Sequence, residues 1–210
     1  MNFNHFINNI SKLKENPIGG LEAQFKLAPK LRLRYSNEKI EALNPKKAAV
    51  VALFYPNNNG EVCFLLTLRA DYDGTHAAQI SFPGGKFEKN DNSLKNTALR
   101  ETFEEVGIPI NAISIFKQMT DVFIPPSNFL VTPFLGFLNH VPTFTINHEV
   151  EELISVSLKD LLNESSISTT ILSTSYAKNM KVPCFMLNNY VVWGATAMML
   201  NEIKELLKKM

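Results

Sequence analysis

The densest group of ionisable side chains in the sequence is Arg100-Glu101-Thr102-Phe103-Glu104-Glu105-Val106-Gly107. On a helix turning about 100° per residue, Glu101, Glu104 and Glu105 fall within about 100° of one another. Leu99, Phe103 and Val106 fall on the opposite side and are expected to form the buried stripe. Carboxylates at i, i+3 and i+4 repel one another by roughly a few tenths of a kcal/mol per pair, so the helix itself gains nothing from them. A divalent cation does gain. Mg²⁺ takes hard oxygen ligands, keeps several waters, and commonly bridges one or two carboxylates to substrate phosphates. Arg100, one turn before Glu104, is positioned to hold a carboxylate by a charge-assisted bond. Taken alone, the cluster also reads as a solvated acidic helix face.

The residues before and after the cluster favour the metal reading. Phe82-Pro83-Gly84-Gly85-Lys86 sets two consecutive glycines where backbone can approach a ligand or take positive φ. A polar stretch with Asp91 and Asn92 leads from there into the acidic helix. Gly107 stands where a left-handed helix terminator is wanted, with Pro109 just beyond. A glycine loop, an acid-lined helix and a glycine stop together make a coherent site for a metal and a diphosphate.

These residues resemble the Nudix hydrolase box: Gly, five residues, Glu, seven residues, Arg-Glu, an aliphatic, any residue, Glu-Glu, any residue, Gly, an aliphatic. Gly85, Arg100, Glu101, Glu104, Glu105, Gly107 and Ile108 match it. Asp91 stands in place of the first Glu, eight residues (Asn92 to Leu99) precede Arg100 instead of seven, and Thr102 replaces the aliphatic. The first two departures resemble the coenzyme A diphosphatase branch of the family. So do Leu65-Leu66-Thr67-Leu68-Arg69-Ala70 with Gln79-Ile80-Ser81-Phe82-Pro83-Gly84-Gly85, and Val192-Trp193-Gly194-Ala195-Thr196. Within the upstream signature Gly74 stands where an Arg is often found, and Ala78 where a Gly is.

The resemblance implies an α/β fold, an α/β/α sandwich with a mixed β-sheet flanked by helices. It also implies Mg²⁺- or Mn²⁺-dependent hydrolysis of the diphosphate of coenzyme A, giving 4′-phosphopantetheine and adenosine 3′,5′-bisphosphate. Glu101 and Glu105 are then the primary metal ligands, Glu104 a further ligand or supporting group, and Arg100 the residue that orients the carboxylates. Glu149, in the second acidic cluster His148-Glu149-Val150-Glu151-Glu152, is the candidate general base; the alternative is a solvated loop. Gly84 and Gly85 shape the loop against metal and phosphate. Arg69, His76 and Lys86 are the candidate substrate contacts, with surface charge as the alternative for Arg69 and Lys86 and a polar loop residue for His76. Phe123 and Phe129 are read either as adenine-stacking or as core residues. A Nudix enzyme for NADH, ADP-ribose or a nucleoside triphosphate is the alternative substrate reading, and a non-catalytic Nudix-fold binding protein the alternative class.

The elements that must position these residues follow from periodicity. Residues 1–44 are expected to be an N-terminal helical extension packed on the core, with helices near Phe3–Ile10 and 21–34; residues 45–210 form the hydrolase domain. Ala48–Tyr55 and Val62–Leu68 read as a hairpin, about 69–92 as a long loop, and 93–106 as a helix. Ile113–Val122, Leu130–Leu138 and Leu153–Val156 read as strands, Leu158–Asn163 as a short helix, Lys181–Leu187 and Tyr190–Trp193 as a hairpin, and Ala195–Lys208 as a closing helix. The 210 residues are 45% hydrophobic, and 21 basic against 20 acidic side chains leave a net charge of +1. That balance excludes a broad basic surface for nucleic acid. The N-terminus lacks the marks of a secretory signal, no segment has the roughly 20 apolar residues of a membrane span, and Cys63 and Cys184 sit in apolar runs. A cytoplasmic protein acting on a small molecule is expected. The oligomeric state stays open, a homodimer included.

Overall fold

Burial on both sides of one strand organises the molecule. The computed structural model describes residues 1–30, 32–70, 79–173 and 179–210. Helices α1 (Phe3–Asn8), α2 (Ile10–Glu15), α3 (Gly20–Phe25) and α4 (Asn37–Ala42) come first, then strands β1 (Lys46–Pro56), β2 (Val62–Arg69), β3 (Ile80–Ser81) and β4 (Gly84–Lys86). Helix α5 (Leu94–Val106) follows, then β5 (Ser114–Gln118), β6 (Val122–Ile124), β7 (Phe129–Phe137) and β8 (Val150–Ser157). The chain ends with α6 (Leu158–Leu162), β9 (Ile167–Leu172), β10 (Met180–Leu187), β11 (Tyr190–Trp193) and α7 (Gly194–Leu207).

β1 lies inside a mixed sheet, parallel to β7 and antiparallel to β2 and β4. Successive side chains of a strand point to opposite faces. Ala48, Val50, Ala52 and Phe54 therefore enter one apolar cluster, with residues of α1, α2, α6 and α7. Ala49, Val51, Leu53 and Tyr55 enter the other, with Ala98, Leu99 and Val106 of α5. A strand buried on both faces reads as the continuous apolar run seen in the sequence. The result is the expected α/β architecture, a mixed sheet flanked by helices. A separate sheet, β11-β10-β9, carries the hairpin before α7.

Several elements differ from the sequence expectation. The loop at 69–92 holds β3 and β4, too short to leave a pattern. The single strand expected over Ile113–Val122 is two, because β5 and β6 pair with different halves of β7. The helix expected over 21–34 is confined to Gly20–Phe25, before Pro29. Helix α4 and strand β9 had no distinct signal. Phe123 is buried with its ring 5.4 Å from that of Tyr35. Both cysteines are free and buried, and among the described residues no helix is long and apolar enough to cross a membrane.

The first helices are integral to the core. Phe6 is fully buried, with its ring 5.1 Å from Phe54 of β1. Glu202 of α7, also fully buried, accepts bonds from Gly20 N–H (2.9 Å), Gln24 Nε2 (2.9 Å) and Thr120 Oγ1 (2.6 Å), fastening α3 to α7. Truncating Phe6 to alanine is expected to cost about 3–5 kcal/mol of unfolding free energy. Denaturant titration checks this; a loss below about 1 kcal/mol would mean that the first helices are an accessory layer.

Candidate active site

Helix α5 is locally well specified. Ser93 Oγ accepts from Asn96 N–H at its start. At its end Gly107 takes φ 73° and returns its N–H to Phe103 O at 2.9 Å. The buried face differs from the one expected. Phe103 is exposed (49%), whereas Thr102 (0%) and Glu105 (3%) are buried with Ala98, Leu99 and Val106. The reason is the position of β4, which brings polar backbone rather than apolar side chains against one flank of the helix. Thr102 is satisfied there by Ala98 O at 2.7 Å.

The two glycines of β4 make that approach. Gly84 N–H donates to Glu105 Oε2 at 2.9 Å. Its φ of +147° suits glycine, and a Cβ there would lie 2.3 Å from Ala49 O. A Cβ on Gly85 would lie 2.4–2.6 Å from the Glu101 carboxylate. Hence the strand touches both carboxylates through backbone alone.

Arg100 gathers five acceptor atoms from four residues. It grips Asp91 with Nε on Oδ1 and Nη2 on Oδ2, both at 2.9 Å. Nη1 reaches Glu101 Oε1 at 3.0 Å and Glu104 Oε2 at 2.9 Å, and Nη2 also reaches Lys86 O at 3.1 Å. The fork holds the Asp91 carboxyl well below the usual carboxylate range, and the Asp91 bond in turn raises the guanidinium. Asp91, read in the sequence only as a departure from a motif, is thus the anchor of the arginine. Its burial and its bond from Thr97 Oγ1 (2.9 Å) are tertiary facts without a local signature.

A second arginine closes the other side. Arg69, at the end of β2, lies 3.7 Å from Glu105 Oε1 and 3.7 Å from Glu149 Oε2. Burial, partly opposed by the Gly84 N–H and by Arg69, pushes the Glu105 carboxyl up to about 7; the charges of Glu101 and Glu149 add to the rise. Glu101 is also raised, by burial first, against Arg100 and with Glu104 and Glu149. Glu101, Glu105 and Glu149 therefore share one field, although Glu149 lies far along the chain. Glu104 is half-exposed and points to Arg100. Lys86 enters through its carbonyl, its side chain being exposed. His76 lies outside the described residues.

Among the described residues no three acids, histidines or cysteines already stand as a metal-holding set. The donors nevertheless fit a hard cation. Glu105 is buried and Glu101 partly buried, both carboxylates are harder to ionise there, and added positive charge would relieve that cost.

Two predictions follow from this geometry. Gly84→Ala should destabilise more than Gly85→Ala, roughly 2–3 against about 1 kcal/mol, because the first Cβ meets backbone and the second meets the end of a side chain. Equal melting temperatures for the two variants would contradict it. The second concerns Glu105. As pH rises past the ordinary carboxyl value, the unfolded chain releases this proton while the folded chain keeps it until about 7. The ionised group therefore costs the metal-free fold stability that grows across this window and is full above it. Glu105→Gln should raise the melting temperature in chelator at pH 8 and leave it nearly unchanged at pH 4.5. A gain that is the same at both values would contradict the assignment.

A family model described as NUDIX domain matches residues 45–170. The uncharacterized Nudix hydrolase NudL of Yersinia pestis (strain Pestoides F) is 32% identical over 146 residues, 69% of this chain and 72% of that protein. Among solved structures, the Nudix hydrolase RenU from M. Smegmatis matches with a TM-score of 0.57 at 15% identity, over 88% of this chain and 94% of that one. A MutT/nudix family protein from Enterococcus faecalis matches with a TM-score of 0.53 at 15% identity, over 85% of this chain and 66% of that one. At such identities the structures speak for the fold alone.

Proposed function

The chain belongs to the Nudix family, and from that membership we propose that it cleaves the diphosphate of coenzyme A or its derivatives. As a Nudix hydrolase it acts on a nucleoside diphosphate derivative. Water attacks one phosphorus, the bridging P–O bond breaks, and the products are 4′-phosphopantetheine and adenosine 3′,5′-bisphosphate.

One observation carries the coenzyme A reading. Two stretches that resemble the coenzyme A branch, 65–85 and 192–196, are distant in sequence yet joined by a hydrogen bond. Arg69 N–H donates to Gln79 O at 3.1 Å, Leu68 pairs with Ile80, and Thr196 Oγ1 donates to Ile80 O at 2.9 Å. The first segment also delivers Arg69 to Glu105 and Glu149. A signature for substrate choice has reason to come together near the carboxylates; two unrelated resemblances have none.

Each residue then has a physical task. Glu101 and Glu105 would hold Mg²⁺ or Mn²⁺, which when bound neutralises diphosphate charge and lowers the pKa of water. Glu104 supports them through Arg100, and Arg100 fixes the carboxylates against Asp91. Gly84 and Gly85 set backbone directly against the carboxylates that would hold the metal and the phosphates. Arg69, His76 and Lys86 are the proposed substrate contacts. Glu149, beside Arg69 and within the field of Glu101 and Glu105, is the proposed general base. We propose a small-molecule substrate in the cytoplasm.

Purified protein with Mn²⁺ or Mg²⁺ is to be offered coenzyme A, acyl-coenzyme A, NADH and ADP-ribose. Release of adenosine 3′,5′-bisphosphate from coenzyme A is the expected result. Turnover of NADH or ADP-ribose without it would overturn the coenzyme A reading and leave the hydrolase. Glu105→Gln should lower kcat by roughly 10² or more with the fold retained; near-normal kcat would remove Glu105 as a metal ligand.

A further inference from the structure

Asn147 ties the proposed base to the carboxylate helix through three of its atoms. Its N–H donates to Glu105 O at 3.2 Å, its Oδ1 accepts the Glu149 N–H at 2.9 Å, and its carbonyl accepts the Val150 N–H at 3.3 Å. The last bond makes residues 147–150 a turn with asparagine first, a position that favours a side chain able to bond the backbone two residues on. The first bond satisfies a carbonyl in the final turn of α5, which has no partner within the helix. Thr145 N–H does the same for Val106 O at 3.0 Å, so the segment is stitched to the helix end at two points.

The consequence falls on Glu149. Both its backbone groups are pinned, the N–H by Asn147 and the carbonyl by Ala70 N–H at 2.9 Å. Its carboxylate meets Arg69, and Arg69 also meets the Glu105 side chain. A closed ring results: Glu105 main chain, Asn147, Glu149, Arg69, Glu105 side chain. The Glu149 carboxylate is itself about half exposed. Packing does not fix such a side chain; the backbone that carries it does.

We propose that Asn147 is a positioning residue, which sets the Glu149 carboxylate against Glu105 by fixing the 147–150 turn. The proposal rests on Glu149 as general base, and it names the residue through which that base is held. Asn147 touches no reacting atom in this reading.

The test is a double-mutant cycle on whichever diphosphate compound of the panel above the protein turns over, with kcat and KM measured separately. Asn147→Ala removes the Oδ1 acceptor and keeps the main-chain bonds. It should lower kcat roughly tenfold or more with KM nearly unchanged, because small misplacements of a catalytic group are costly. Asn147→Ser, whose hydroxyl can accept the same N–H, should restore much of the loss. In the Glu149→Gln background, Asn147→Ala should have almost no further effect. If Glu149→Gln alone leaves kcat unchanged, the general-base reading falls, and the positioning proposal with it. If Glu149→Gln is impaired but Asn147→Ala costs the same in both backgrounds, the base stands and the positioning proposal is overturned. An equal loss in Asn147→Ser and Asn147→Ala, or normal kcat in Asn147→Ala, also overturns it.

Discussion

The site depends on one close approach, that of the β4 backbone to helix α5. At Gly84 a peptide N–H takes the place of an apolar side chain and bonds Glu105; at Gly85 the missing Cβ leaves room for the Glu101 carboxylate. Any side chain at 85 would occupy the space that carboxylate uses, and any at 84 would strike β1. The approach is in turn fixed by pairing, since Gly84 and Gly85 lie opposite Val50 and Ala49 of β1. Ala49 presents only a methyl group toward the α5 side, so strand and helix come close. Doubly buried β1 is therefore both the centre of the core and the floor of the site.

That closeness creates an electrostatic debt that the protein meets only in part. Buried carboxylates are costly unless paired. Arg100 is divided among Asp91, Glu101, Glu104 and the Lys86 carbonyl, and its two best bonds go to Asp91. Arg69 stands 3.7 Å from Glu105 and from Glu149, too far for a strong hydrogen bond to either. The upward shifts of Glu101 and Glu105 report the remaining deficit. The near-neutral total of the chain conceals this, because its 21 basic side chains are spread while the acids here converge. Functional sites commonly keep such unbalanced charge for a ligand of opposite sign.

What was legible in the sequence was local. The end of α5 followed from Gly107, β1 from its apolar run, and the Glu101–Glu105 cluster from helical spacing. What failed was whatever depended on a distant neighbour. Phe103 was expected in the core because apolar residues usually choose the buried face, yet the polar backbone of β4 claimed the flank carrying Glu105. Asp91 looked like a substitution and serves as an anchor. Short β3 and β4 owe their pairing to β2 and β1 and have no pattern of their own. Asn147, an ordinary turn residue by type, gains meaning only because its N–H meets the end of α5.

A division of labour follows from the same distinction. Glu101, Glu104, Glu105 and Arg100 share one helix that sets their spacing, while Asp91 and the β4 backbone hold them from outside it. Other residues of the site arrive from elsewhere, Arg69 from the end of β2 and Glu149 from the turn before β8. The two segments are joined by the β2–β8 ladder and by Ala70 N–H on Glu149 O. A change in either alters the charges that Glu105 meets. The acidic cluster is thus specified by one helix, and its surroundings by segments that only the fold brings together.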